Sequence, residues 1–122
     1  MTVSAEPTSF LPLSNLMFHV LVALADQDRH GYAIIRDIEE RTADGLSVRS
    51  GALYTVIQRL LESGLIANAS VPAEETGGGA RRKYYRITPL GREVASLEGA
   101  RLAAMVDSAR SRDLLRDRKT TA

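Results

Sequence analysis

The side chains best suited to chemistry in this sequence lie on one side of the stretch 50–64. They combine hydrogen-bonding groups, an aromatic hydroxyl and a cation: Gly51, Tyr54, Thr55, Gln58 and Arg59. Groups of this kind contact phosphates and base edges, and the amide of Gln58 can pair with adenine through two hydrogen bonds. The pattern indicates nucleic-acid contact, although a solvated helix face with no ligand has a similar composition.

The opposite side of this stretch is apolar, which predicts a helix packed on a core. Its apolar residues follow the i, i+4, i+7, i+8 spacing of one helical face: Leu53, Ile57, Leu60 and Leu61, with Val56 at the edge. Ser50 is the expected N-cap, because its hydroxyl can accept from a free amide of the first turn. Gly64 suits the left-handed position just past the helix end.

Basic residues cluster around this helix. Residues 49–93 carry a net charge of +3, whereas residues 1–48 carry −4 and residues 94–122 carry +2. Arg49 precedes the helix, and Arg81, Arg82 and Lys83 follow a glycine triplet after it. A cationic segment of this kind can follow a phosphate backbone without reading sequence. A solvated charge run at the base of a hairpin is the alternative.

Other kinds of chemistry find little support in the sequence. There is no cysteine, the only histidines are His19 and His30, and the carboxylates are scattered without an acid–base pair. No lysine follows the glycine triplet at the spacing of a phosphate-binding loop. We therefore expect no enzyme activity, no cofactor and no metal. No apolar run approaches the length of about 18 residues that a membrane span needs, so we expect a cytoplasmic protein with no membrane partner.

The remaining pattern predicts the elements that must position these side chains. The predicted elements are a helix from Ser14 or Asn15 to Ala25, a helix over 31–42, strands over 65–71 and 81–87, and a long helix over 89–111. Thr88 and Pro89 form a strong start signal for the last helix. In the helix over 31–42, the residues expected to face the core are Tyr32, Ile34 or Ile35, and Ile38. In the strand over 81–87, Tyr85 and Ile87 are expected to face the core.

These elements predict a mainly α fold with a small β-hairpin: a winged helix-turn-helix followed by a C-terminal dimerisation helix. The predicted organisation is a flexible N-terminal segment (1–13), a winged-helix domain (14–88), the dimerisation helix (89–111) and a flexible tail (112–122).

Apolar residues on the first and last helices exceed what one small domain needs to cover. A second copy of the chain is the most economical partner for them. The predicted dimer interface comprises Leu16, Met17, Val20, Leu90, Val94, Leu97, Leu102, Met105, Val106 and Ala109. A central core position for the first helix is the open alternative.

Several short motifs, in this order, resemble the PadR-type transcriptional regulators, in particular their short members with one C-terminal helix. The motifs are His30-Gly31-Tyr32, Ser50-Gly51-Ala52-Leu53-Tyr54, Gly64-Leu65-Ile66, and the run from Arg82 to Gly91. The resemblance implies a homodimeric repressor that releases DNA when a small molecule binds near the dimer interface. This chain departs from the family pattern in having Thr55 where proline is usual, and in lacking tryptophan.

The sequence thus predicts a regulator that binds double-stranded DNA at a palindromic operator. The residues expected to contact DNA are Arg49, Ser50, Gly51, Tyr54, Thr55, Gln58, Arg59, Arg81, Arg82 and Lys83. The alternative hypothesis is a winged-helix module that binds a protein partner through its apolar helices and does not bind DNA directly.

Overall fold

The computed structural model describes residues 6–42, 47–72 and 82–116. Four α-helices and three short strands make up most of this part. In chain order the elements are a 3-10 helix (Pro7–Phe10), α1 (Asn15–Ala23), β1 (Arg29–His30), α2 (Gly31–Arg41), α3 (Ser50–Glu62), β2 (Ile66–Ala69), β3 (Tyr84–Ile87) and α4 (Pro89–Ser111). The predicted mainly α fold with a winged helix-turn-helix and a final long helix is confirmed.

Side-chain caps explain where three of the helices begin: Ser14 caps α1, His30 caps α2 and Thr88 caps α4. Ser14 accepts a hydrogen bond from the backbone N–H of Met17 at the start of α1, and Thr88 accepts one from Gly91 at the start of α4. The prediction that Ser50 caps α3 is wrong. Ser50 is the first residue inside that helix, and Arg49 occupies the capping position without a side-chain bond.

The strands form one antiparallel sheet in the order β1-β3-β2. The predicted hairpin between β2 and β3 is present, with strands shorter than expected, and Ile66 pairs with Ile87. β1 was not predicted, because two residues are too few to show an alternating pattern. It pairs Arg29 with Tyr85 and His30 with Tyr84, so it adds an edge strand beside the β2–β3 hairpin, which is the wing of the fold.

The core lies between the four helices and one face of the sheet. On α3 the predicted inward residues Leu53, Ile57 and Leu60 are buried. On α2 the buried residues are Ile34 and Ile38, whereas Tyr32, predicted to face inward, is 61% exposed. Two residues along a helix correspond to a turn of about 200°. Tyr32 therefore lies on the side of α2 opposite Ile34.

The two adjacent tyrosines of β3 are both buried, although neighbouring strand residues point to opposite faces. Tyr85 faces the core as predicted. Tyr84 was expected on the exposed side, but the ring of His30 on β1 packs edge-on against it, with ring centroids 5.3 Å apart. The unpredicted edge strand thus supplies the cover for Tyr84.

A buried carboxylate connects the N-terminal segment to α4. Glu98 is 1% exposed, and its Oε2 accepts a hydrogen bond from the backbone N–H of Leu13 at 2.9 Å. Arg101 donates to both carboxylate oxygens, at 2.6 and 3.0 Å. The sequence predicted an irregular segment before Ser14, whereas the described part of it contains a 3-10 helix and a buried Leu13.

The apolar stripe of α4 divides into two parts. Val94 is fully buried inside this chain, as is Val20 of α1, so neither of these predicted interface residues can contact a second copy. Farther along α4, Met105 and Val106 are 57% and 42% exposed. The other predicted interface residues are partly buried: Leu16, Met17, Leu90, Leu97, Leu102 and Ala109. No helix in the described ranges is long and apolar enough to cross a membrane.

Candidate nucleic-acid interface

The outward face of α3 presents the side chains that the sequence singled out. Arg49, just before the helix, and Ser50 and Gly51 in its first turn are exposed. So are the residues farther along this face: Tyr54, Thr55, Gln58 and Arg59. The buried face of α3 packs on α1 and α2, so the polar face points away from the core. α3 therefore has the orientation that a recognition helix requires.

Two of these side chains make hydrogen bonds along the helix. The hydroxyl of Thr55 donates to the carbonyl oxygen of Gly51 at 3.1 Å. The amide of Gln58 donates to the carboxylate of Glu62 at 3.3 Å, one turn away. Both bonds lie on exposed surface, where water or a base edge can replace them at little cost. Glu62 was not predicted to belong to this face, and it adds a negative charge to the end of it.

The ring of Tyr54 packs closely against a glycine on another helix. A Cβ atom built on Gly31, the first residue of α2, would collide with the hydroxyl and ring of Tyr54. The glycine therefore lets the Tyr54 ring lie against the start of α2 while remaining 50% exposed. This contact links two of the sequence motifs, the one containing Gly31 and the one containing Tyr54. Their co-occurrence was the only signal of it in the sequence.

The wing brings two cations to the same side of the molecule. Arg82 and Lys83 immediately precede β3, and both are exposed. The Arg82 guanidinium lies 3.3 Å from Nε2 of His30, which places it over the edge strand. The glycine triplet and Arg81, also predicted to contact DNA, lie outside the described residues.

Two adjoining clefts separate α3 from the wing. The first has a volume of about 530 Å³ and extends along α3 past Gln58 and Glu62. The second, of about 350 Å³, reaches the start of α2 at His30 and Gly31. Tyr54, Lys83 and Tyr85 line both clefts. Recognition helix, wing and the start of α2 thus form one continuous polar surface.

Several ionisable groups elsewhere are engaged in structural pairs. Asp37 on α2 contacts Arg41 at 2.7 Å and Arg29 at 3.6 Å, and Arg41 also donates to the backbone carbonyl of His19. No group of three or more histidine, cysteine, aspartate or glutamate residues in the described part of the chain is arranged to hold a metal ion. The concentrated polar surface is therefore the one between α3 and the wing.

Comparisons with known proteins agree with this geometry. The family model described as "Transcriptional regulator PadR-like family" matches residues 20–97. An uncharacterised protein of Lysinibacillus sphaericus is 35% identical over 77 residues, which cover 63% of this chain and 68% of that protein.

Solved structures are similar in fold. A PadR family transcription regulator from Clostridium difficile R20291 superposes with a TM-score of 0.69 at 21% identity, over 80% of this chain and 97% of that one. Bacillus subtilis PadR in complex with operator DNA gives a TM-score of 0.59 at 20% identity. That match covers 68% of this chain and 45% of the B. subtilis chain.

Proposed function

The chain belongs to the PadR-like family of transcriptional regulators, and on that premise we propose that it is a homodimeric repressor of a palindromic operator. Membership of this family makes it a DNA-binding regulator of transcription rather than an enzyme. In the proposed complex α3 enters the major groove and the wing follows the neighbouring backbone. This role requires the protein to share a compartment with the chromosome, in agreement with the predicted cytoplasmic location.

The observation that carries the proposal is the shared surface of α3 and the wing. Tyr54 and Lys83 line the same clefts, although one belongs to the helix and the other to the hairpin. The helix proposed to read base edges and the cation proposed to bind phosphates therefore lie side by side. The similarity to B. subtilis PadR, which was solved with operator DNA, supports the same orientation.

Charge reversal of the wing tests DNA binding directly. We expect Arg82→Glu combined with Lys83→Glu to reduce affinity for the protein's own upstream DNA at least about 100-fold, since two phosphate contacts become repulsive. Fluorescence anisotropy at two salt concentrations measures this loss, and wild-type affinity should fall steeply with salt.

The matched control makes the same charge change at the end of α4. Arg112→Glu combined with Arg116→Glu alters exposed residues that follow the last residue of α4, outside the proposed surface, and should weaken binding far less. Equal losses of DNA affinity in the two double variants would show that the effect comes from net charge alone and not from the wing. Wild-type protein that shows no salt-dependent DNA binding would favour the alternative, a winged-helix module that binds another protein.

We also propose that repression is relieved by a small molecule. A third cleft of about 340 Å³ lies between α1 and the start of α3, lined by apolar Leu16 and Val48 and by polar His19 and Arg49. Burial, followed by the charge of Arg41, lowers the pKa of His19, so its ring is neutral at pH 7. An occupant of this cleft would contact Arg49 and reduce its availability to DNA. A ligand of this kind is expected to weaken operator binding in the same anisotropy assay.

A further inference from the structure

Tyr85 has a buried ring, and within the described ranges its hydroxyl has no protein partner. The residue is 4% exposed, and among the residues that the structure describes its hydroxyl makes no hydrogen bond. Every fully buried polar side-chain atom in those ranges has a hydrogen-bond partner. Because the Tyr85 hydroxyl has none, it is not fully buried, and it opens into the clefts that the residue lines. Burial, and then the neighbouring phenol of Tyr54, raise the pKa of Tyr85. The hydroxyl therefore keeps its proton at neutral pH and is available as a donor.

Further donors reach the second cleft from the start of α2. Nδ1 of His30 accepts a hydrogen bond from the backbone N–H of Ala33 at 3.1 Å, so the neutral ring carries its proton on Nε2. That Nε2 lies 3.3 Å from the guanidinium of Arg82, which is also a donor. The guanidinium of Arg82 therefore adds a positive charge at this end of the second cleft, which favours an anion there.

Charge distinguishes the two clefts. The first contains the carboxylate of Glu62, which would repel a phosphate. The second contains Arg82 and Lys83, and none of the lining residues that the structure describes is acidic. Its volume of about 350 Å³ is ample for a phosphate group and part of the attached sugars. An anion is therefore favoured at the end of the surface nearest to α2.

We propose that the second cleft holds one phosphate of the DNA backbone, bound by the hydroxyls of Tyr85 and Tyr54 and by the ammonium group of Lys83. We call it the phosphate notch. The inference rests on the proposed function, because it takes the anion to be a phosphodiester of DNA bound by α3. Since the notch lies between helix and wing, a phosphate held there fixes how far α3 advances along the groove.

Removing single hydroxyls tests the notch. Tyr85→Phe keeps the buried ring and is expected to lower affinity for the upstream DNA about 10-fold, the effect of one hydrogen bond to a charged group. Tyr84→Phe is the matched control, because it makes the same change at the preceding residue of β3, which lines neither cleft. Tyr84→Phe should bind as wild type does, and thermal unfolding of both variants verifies that the fold is retained.

A scan with uncharged methylphosphonate links then identifies the phosphate. One position in each half-site is expected to weaken wild-type binding and to remove most of the difference between wild type and Tyr85→Phe. The notch is overturned if Tyr85→Phe binds within about twofold of wild type, if Tyr84→Phe loses as much, or if no position removes the difference. In all three cases salt-dependent wild-type binding leaves the proposed function standing. If wild-type protein shows no salt-dependent DNA binding, both the phosphate notch and the proposed function are overturned.

Discussion

Glu98 illustrates how much a single residue contributes to this fold. Its carboxylate is buried and accepts hydrogen bonds from Leu13 and Arg101. The hydrogen bond from Arg101 lowers the pKa of Glu98 below its ordinary value of 4.5, against the opposing effect of burial. The folded state therefore favours the charged form of the Glu98 carboxylate. This carboxylate attaches the N-terminal segment to α4 through its hydrogen bond with Leu13.

This arrangement predicts an acid-sensitive contribution to stability. Because the pKa of Glu98 is lower in the folded state, its contribution is complete above pH 4.5 and is lost as pH falls through the folded value. Glu98→Gln has one acceptor oxygen in place of two. We expect it to lower the free energy of unfolding by about 1–3 kcal/mol at neutral pH and by less at about pH 3.

Urea unfolding at the two pH values measures both quantities. Asp107→Asn is the control, because Asp107 pairs with Arg110 on exposed surface and should leave stability unchanged. A Glu98→Gln variant as stable as wild type at neutral pH would contradict the role assigned to this carboxylate.

At the scale of the element, α4 contains two glycines with opposite surroundings. A Cβ atom on Gly91 would collide with the backbone carbonyl of Leu65, which itself accepts a hydrogen bond from Thr88. A Cβ atom on Gly99 would meet nothing within 4 Å. Gly91 is therefore needed for the close approach of α4 to the end of α3, whereas Gly99 only reduces helix stability.

Alanine at each glycine separates these two roles. Gly91→Ala is expected to destabilise the protein by about 1–3 kcal/mol, because the opposing atoms belong to the backbone and cannot rotate away. Gly99→Ala is expected to stabilise it by about 1 kcal/mol through helix propensity. Urea midpoints of the two variants give the comparison directly. Changes of the same sign would show that packing against Leu65 does not distinguish the positions.

At the scale of the whole molecule, the exposed second half of α4 is the surface proposed for dimerisation. Leu102, Met105, Val106 and Ala109 share one side of the helix, and the Met105 side chain is 57% exposed. A palindromic operator presents two equivalent half-sites, which a two-fold symmetric dimer matches. The distance between the two α3 helices would then depend on how the α4 helices pack.

A charge in the centre of this surface should separate the two copies. Met105→Glu is expected to weaken dimerisation about 30-fold or more, because the carboxylate loses water in an apolar interface. The nearest cation is Arg101, which donates to the Met105 sulfur at 3.3 Å and already pairs with Glu98. Light scattering measures the molar mass, and anisotropy measures the accompanying loss of DNA affinity. Ala104→Glu, nearly opposite Leu102 on the helix, is the control and should remain dimeric. A wild-type monomer at micromolar concentration would contradict the proposal.

The sequence was sufficient to predict the features that depend on neighbours in the chain. The buried face of α3 followed from the helical period, the starts of α1 and α4 from Ser14 and Thr88, and the end of α3 from Gly64, which has a φ of +79°. The exposed face of α3 follows from the same period. Interactions between residues a few positions apart determine these features, so a local pattern is enough to reveal them.

Only the tertiary structure decided the features that join distant segments. Glu98 and Leu13 are 85 residues apart, and the cover over Tyr84 comes from an edge strand too short to leave a pattern. Likewise the local pattern did not show that Val94 is buried inside its own chain, or that Tyr85 lines the clefts between α3 and the wing. These outcomes depend on which segments meet in space. The periodicity of residues along one helix or strand carries no information about which distant segment packs against it.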